Sequence, residues 1–396
     1  MSLARGLSFK FVRYRAERAQ SDHAEQLAWV VVDDDYVMQP EANAYLAALR
    51  ARDRSVNTER MYAGRIALYL SYCAAAGLDW RAPSVEFLSG FLRHLVTEPL
   101  PQRGRGAGAA RYRSKGTANA VMTAVCELLR FGAAHQWVAP EVVNALSEPK
   151  FLAYVPPGFD VGERGQLRGI HARSIKFAVP RSGYMSLSDD QLLQLLAAPT
   201  NARDRFLVTL LAVTGMRIGE ALGLRREDMH LLARSDALGC QQHGPHVHVR
   251  RRANANGALA KSRYPRTIPI TDDVVGLYAD YQHERSRLRA ETSDMVFVNL
   301  FRQPVGGPMT DVNAKGVFDR LAKQLRFPVR PHMLRHTAAE RWRRQGVAND
   351  VRQKLLGHVS ASSMEPYVHP TDQEKRAAVE RAAMLRQEIN DSQPGD

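Results

Sequence analysis

Residues 332–367 gather side chains suited to phosphate chemistry: His332, Arg335, His336, His358 and Tyr367. An arginine presents a planar, permanently charged fork of N–H donors that matches phosphate oxygens. A histidine can take or give a proton near neutral pH. A tyrosine hydroxyl is an oxygen nucleophile that needs a basic or hydrogen-bonding neighbour before it loses its proton. Together these groups could attack a phosphodiester, stabilise the charge that builds on its non-bridging oxygens and handle the proton. Taken singly, each has a plainer reading, as part of a satisfied polar cluster on a helix or as an amphipathic core tyrosine.

The spacing predicts how these side chains are held. PHMLRHTAAERWRRQG reads as a helix that begins at Pro331 and stops at Gly346, with His332, Arg335 and His336 at i, i+3 and i+4 on one face. NDVRQKLLGH reads as a second, shorter helix. Asn349 or Asp350 caps its start, and Gly357 ends it in the left-handed conformation, which delivers His358 at a defined turn shortly before Tyr367.

HMLRH, LLGH and the Tyr367 that follows, with His369 just beyond it, resemble the C-terminal signature of the tyrosine recombinases, the phage integrase family. The resemblance demands a second arginine at a helix start and a lysine on a β-hairpin upstream. TGMRIGEALGL supplies Arg217 just after Gly215, with Glu220 where the family carries an acidic residue. In HVHVRRRANANGALAKSRYPRTIPI, residues 246–249 read as a strand, Asn256-Gly257 as a turn and 266–270 as the return strand. Lys261 falls between turn and return strand, on a longer hairpin than the family's GKG-type turn.

By that resemblance Arg217 and Arg335 hold the phosphate, Lys261 protonates the departing 5′ oxygen, and His332 assists Tyr367. His358 binds the phosphate or orients the tyrosine, and Glu220 and His336 are supporting residues. The product implied is a 3′-phosphotyrosyl DNA with a free 5′ hydroxyl, formed without metal, cofactor or ATP. The implied partner is double-stranded DNA bearing specific recombination sites. The resemblance also implies a homo-tetramer on that DNA, assembled through the C-terminal helix, with room for accessory proteins. The activity expected is site-specific recombination by the integrase of a mobile element. Two rivals are weighed against it. A type IB topoisomerase-like relaxer would act as a monomer on any supercoiled DNA, and a non-catalytic DNA-binding relative would lack a catalytic residue, whereas none is missing here.

Composition agrees. The 396 residues carry 55 Lys and Arg against 41 Asp and Glu, a net charge of +14, which favours a polyanionic partner through steering and counterion release. No apolar run approaches the roughly 18 residues of a membrane span and none resembles a signal peptide, so no membrane partner is expected. Cys73, Cys126 and Cys240 are widely spaced and read as reduced thiols in a cytoplasmic protein.

The fold expected is mainly α, with a small β-sheet or hairpin in the catalytic domain. Residues 1–40 read as an irregular extension, and its Asp33, Asp34 and Asp35 as solvated surface. Residues 41–148 read as a helical core-binding domain. Its loop PQRGRGAGAARYRSKGT places Arg103, Arg105, Arg111, Arg113 and Lys115 among glycines, a composition suited to DNA phosphates. Residues 149–183 read as a basic interdomain linker, with room for a short helix in GQLRGIHARSIKF. The catalytic domain, 184–396, opens on a capping box at Ser188 and Gln191 and closes on an amphipathic exchange helix striped by Ala378, Ala382, Leu385 and Ile389. His243, His246 and His248 invite a metal reading. Alternating strand residues share a face only in pairs, however, and no cysteine or carboxylate is seen to complete four ligands, so no metal site is expected.

Overall fold

Side-chain oxygens start each of the main helices in the N-terminal part of the chain. Gln39, Ser55, Ser84 and Ser114 accept backbone N–H groups in the first turns of α1 (Pro40–Ala51), α2 (Val56–Ala75), α3 (Val85–Thr97) and α4 (Lys115–Ala134). The computed structural model describes residues 12–21, 24–52, 54–101, 109–151, 169–180, 185–260, 262 and 264–357. The chain divides into one unit of Met1–Val155 with Asp160–Arg181 and another of Pro156–Phe159 with Ser182–Asp396. In the first unit the apolar faces of α1 to α4 close on Leu46, Ile66, Tyr69, Phe91 and Leu128, and a short α5 (Pro140–Asn144) follows. Cys73 and Cys126 are free thiols within this core, and burial pushes both up, Cys73 to about 12.

Two ribbons join these helices. Where an irregular extension was expected, β1 (Arg15–Ser21) and β2 (Ala24–Val32) form an antiparallel hairpin. Its polar first strand shows no periodicity. It is held because Trp29 and Val31 donate their N–H groups to Glu59 and Asn43 on the helices, at 2.8 and 2.7 Å. Within the acidic run, the Asp33 carboxylate accepts from the Asp35 and Val37 amides and so shapes a turn. The second ribbon pairs β3 (Ser147–Phe151) with β4 (Gly169–Arg173), which is a strand where a short helix was expected. Cross-strand pairing and the anchoring of Arg173 on the Asn119 carbonyl and the Thr123 hydroxyl outweigh the local pattern.

The second unit is built around α7 (Ala202–Thr214), preceded by α6 (Asp189–Ala197) with the expected capping box. Phe206, Leu207, Leu210 and Leu211 of α7 are fully buried, and Phe206 stacks with Tyr281 and Phe297. After α8 (Ile218–Ala221), strands β5 (Met229–His230), β6 (His246–Val249) and β7 (Arg266–Pro269) form an antiparallel sheet in that order. Helices α9 (Asp272–Arg287), α10 (Asp311–Leu325), α11 (Pro331–Arg344) and α12 (Asn349–Leu356) complete the described part. The hairpin has the two expected strands, and their register sets Val249 opposite Arg266. Gly257 turns at φ +70°, and the Asn256 amide donates to the carbonyls of Leu222 and Met309. Among the described residues no helix is long and apolar enough to cross a membrane.

Gly215 ends α7 at φ +59°, and a Cβ there would lie 3.2 Å from both Ala338 and Leu356. Helices α7, α11 and α12 therefore meet at a point where a left-handed backbone and tight neighbours favour glycine. Gly215→Ala combines the left-handed penalty with overpacking, so the second unit should lose about 2–4 kcal/mol in chemical denaturation. An unchanged midpoint would show that the three helices can separate without cost.

Candidate active site

A buried carboxylate organises the site. Arg217 lies two residues past Gly215, which ends α7, and its Nη1 and backbone N–H donate to the two oxygens of Glu220, each at 2.9 Å. On the other side Arg266 Nη2 donates to Glu220 Oε2 at 2.7 Å. Burial pushes the Glu220 carboxyl up, but the hydrogen bond and charge of Arg266, with the Arg217 amide and guanidinium, outweigh it and hold the group below its ordinary value. Glu220 is therefore ionised at neutral pH. The Arg217 side chain keeps 24% of its surface exposed, so the carboxylate steadies a cation without sealing it from solvent.

Arg335 is 1% exposed and bridges two helix ends. Its Nη1 donates to the Gly215 carbonyl at 2.8 Å and its Nη2 to the Leu356 carbonyl at 2.7 Å. Those are terminal carbonyls of α7 and α12, which lack partners within their helices and carry the negative end of the helix dipole. Arg266 Nε takes the adjacent Leu355 carbonyl at 3.0 Å. Gly357 then turns at φ +65°, so close that a Cβ would fall 2.7 Å from Arg266 Nη1. The chain thus leaves α12 toward His358 from a point held by two arginines.

His332 is exposed on the first turn of α11, with its ring centroid 4.3 Å from that of the buried His336. Burial, then the charges of His332 and Arg335, lower His336 to about 4, so it is neutral at physiological pH and serves as packing beneath His332. The hairpin connection reaches the same region. Ala260 is buried in the core and Ser262 donates to the Tyr264 carbonyl, while the Leu259 carbonyl lies 3.2 Å from where a Cβ on Gly219 would be. The residues flanking Lys261 are therefore anchored beside α8, which Arg217 caps.

Of the residues expected from sequence, Arg217, Glu220, His332, Arg335 and His336 fall within this framework. Lys261, His358, Tyr367 and the closing helix lie outside the described residues, as do Arg103 and Arg105. In the first unit Arg111 and Lys115 are exposed and Arg113 is half-buried, at the neck of a loop closed by the bridge between Pro99 and Tyr112. Arg266 was missed. In the sequence it is only the first residue of a strand, and nothing local marks it as the second partner of Glu220. The metal reading also changes: the structure gathers His230, Cys240, His246 and His248, with donor atoms all within 4.8 Å of one another, and His243 is not among them. The reasoning from one strand overlooked that a neighbouring strand and a loop can supply the remaining ligands.

Comparison with known proteins points the same way. The sequence profile of the phage integrase family matches residues 185–374. Transposase A from transposon Tn554 of Staphylococcus aureus is 23% identical over 369 residues, covering 91% of this chain and 96% of that protein. Tyrosine recombinase XerC of Chlamydia trachomatis is 29% identical over 189 residues, 46% of this chain and 53% of its own length. Among solved structures, a Tn1549 transposon integrase in complex with a circular intermediate DNA matches the fold with a TM-score of 0.58 at 17% identity, covering 86% of this chain and 99% of that one.

The carboxylate arrangement yields a test. Glu220→Gln keeps the volume but leaves Arg266, whose side chain is 10% exposed, without its counter-ion. Removing one partner of a buried pair costs about 3–5 kcal/mol, so unfolding should shift by that order. If denaturation curves of the variant and the parent coincide, the carboxylate does not hold this site together.

Proposed function

We propose that the chain, of which residues 185–374 match the phage integrase family of tyrosine recombinases, cuts and rejoins double-stranded DNA at specific sites to integrate, excise or transpose a mobile element. The observation that carries this reading is the meeting of four elements around Glu220 and Arg335. The Arg217 turn, β7 through Arg266, α11 through Arg335 and the end of α12 are tied together there. The net charge of +14 suits a polyanion, and the named relatives include a transposase and an integrase bound to DNA.

In this reading the Tyr367 oxygen attacks the phosphorus of a DNA phosphodiester. Arg217 and Arg335 stabilise the charge that develops on the non-bridging oxygens. His332 assists deprotonation of the tyrosine, and His358 holds the phosphate. Lys261 gives its proton to the departing 5′ oxygen. The bond to the tyrosine replaces the bond to the sugar, so a 3′-phosphotyrosine and a 5′ hydroxyl form together. A 5′ hydroxyl from another strand reverses the step and completes the exchange without ATP. Glu220 and His336 position these groups, and the basic loop with Arg103, Arg105, Arg111, Arg113 and Lys115 contacts the DNA backbone. The closing helix links protomers into a tetramer on DNA, in the cytoplasm where that DNA resides.

Tyr367→Phe removes one oxygen and almost no volume. Folding and DNA affinity should survive while covalent adducts on a nicked suicide substrate, taken from the ends of the element, disappear from denaturing gels. An SDS-resistant adduct in the Phe variant would place the nucleophile elsewhere. Relaxation of supercoiled plasmids without candidate sites would favour a topoisomerase instead.

Lys261→Ala should slow cleavage of the ordinary phosphodiester with little loss of affinity. A 5′-phosphorothiolate substrate, whose leaving group needs no proton, should restore the rate. If it does not, Lys261 is a phosphate contact rather than the acid.

A further inference from the structure

We propose that His230, Cys240, His246 and His248 bind a structural zinc ion that fixes the base of the hairpin carrying Lys261. Strand register supplies three of the ligands. His230 on β5 stands directly opposite His246 on β6, and His248, two residues further along β6, shares the face of His246. The fourth comes from the 231–245 excursion between these strands. It folds back through a turn at 236–238 ended by Gly239 at φ +70°, and a bridge between Ser235 and Cys240 brings the thiol over the histidines.

The distances are those of a ligand cage. The Nε2 atoms of His246 and His248 are 3.2 Å apart, and Cys240 Sγ lies 3.3 and 3.5 Å from them. A tetrahedral zinc with ordinary bond lengths separates two nitrogens by about 3.3 Å and a nitrogen from a sulfur by about 3.6 Å. With all four donors within 4.8 Å, His230 needs at most a small rotation, on the order of 1 Å, to complete the set.

The tautomer is set as well. His246 Nδ1 lies 2.7 Å from the Gly244 carbonyl, which can only accept, so Nδ1 carries the proton and the Nε2 lone pair faces Cys240 and His248. Such a backbone contact is the usual outer support of a metal-bound imidazole. His230 Nδ1 is also buried away from solvent. Buried His230 and His246 with half-buried Cys240 and His248 make a closed set of four, which is the arrangement of a structural rather than a catalytic ion. Three imidazoles and one thiolate in tetrahedral array favour zinc over magnesium or calcium, and binding would release the thiol proton.

The consequence for function rests on the recombinase reading. Strand β6 runs directly into Arg250 and into Arg252, which pairs with Asp228 just before β5, and then into the connection that holds Lys261. An ion joining β5, the excursion and β6 would stiffen that connection at its root.

The full chain, purified without chelators, should carry one zinc per molecule by elemental analysis. Cobalt loaded in its place should give tetrahedral visible bands and a near-ultraviolet thiolate band, the latter absent in Cys240→Ser. A second measurement needs no variant. Zinc added to the metal-stripped chain should protect Cys240 from alkylation, followed by peptide mass, with the buried Cys73 and Cys126 as internal references. Background zinc together with no thiolate band and unprotected Cys240 would overturn the proposal. So would full zinc content in a folded Cys240→Ser, His248→Ala variant. Metal content and protection are read without DNA, so a failure of the recombinase reading would leave them unchanged.

Discussion

One carboxylate, placed where it cannot escape to water, holds the catalytic unit to its geometry. Glu220 lies between Arg217 and Arg266, and burying a charge is tolerable only because its oxygens are taken up by hydrogen bonds from both sides. The cost of breaking such a pair exceeds what forming it contributes, because the partner left behind is also a charge out of water. The arrangement is therefore stiff. Arg217 is kept at a fixed angle while part of its side chain faces solvent, a cation already oriented before any anion arrives.

Helix ends complete the framework. The last carbonyls of α7 and α12 would ordinarily look to water, and Arg335 and Arg266 satisfy them instead. The same guanidinium chemistry that suits a phosphate thus serves as internal scaffold. Removal of Arg335 would open the α7 and α12 ends at the same time. Glycines at 215 and 357 permit this closeness. At both positions the backbone is left-handed, and a side chain would collide with the neighbouring helices or with Arg266. The hairpin is held from a different direction, by the Asn256 amide at its turn and by the histidine and cysteine cluster at its root.

What could be read along the chain was what depends on near neighbours. The capping box at Ser188 and Gln191, the left-handed stop at Gly357, the shared face of His332, Arg335 and His336, and the strands flanking Asn256-Gly257 all follow from local hydrogen bonding and periodicity, and all are present in the structure. Helix termini and tight turns close within a few residues, so their chemistry is written in adjacent letters. The resemblance to a recombinase signature rested on the same kind of local pattern.

By itself, then, the sequence determined the helical class, the capping box at Ser188 and the residue types available for phosphate chemistry, whereas α12 starts from Ala348 without the side-chain cap expected of Asn349 or Asp350. Only the tertiary structure decided that Arg266 completes the Glu220 pair, that residues 15–21 and 24–32 form a ribbon against α1 and α2, that 169–173 is a strand, and that His230 and Cys240 join His246 and His248. Each of these depends on two segments far apart in the chain meeting in one register. Strand pairing and buried charge pairs are selected by the partner that arrives, and no short stretch of sequence names that partner.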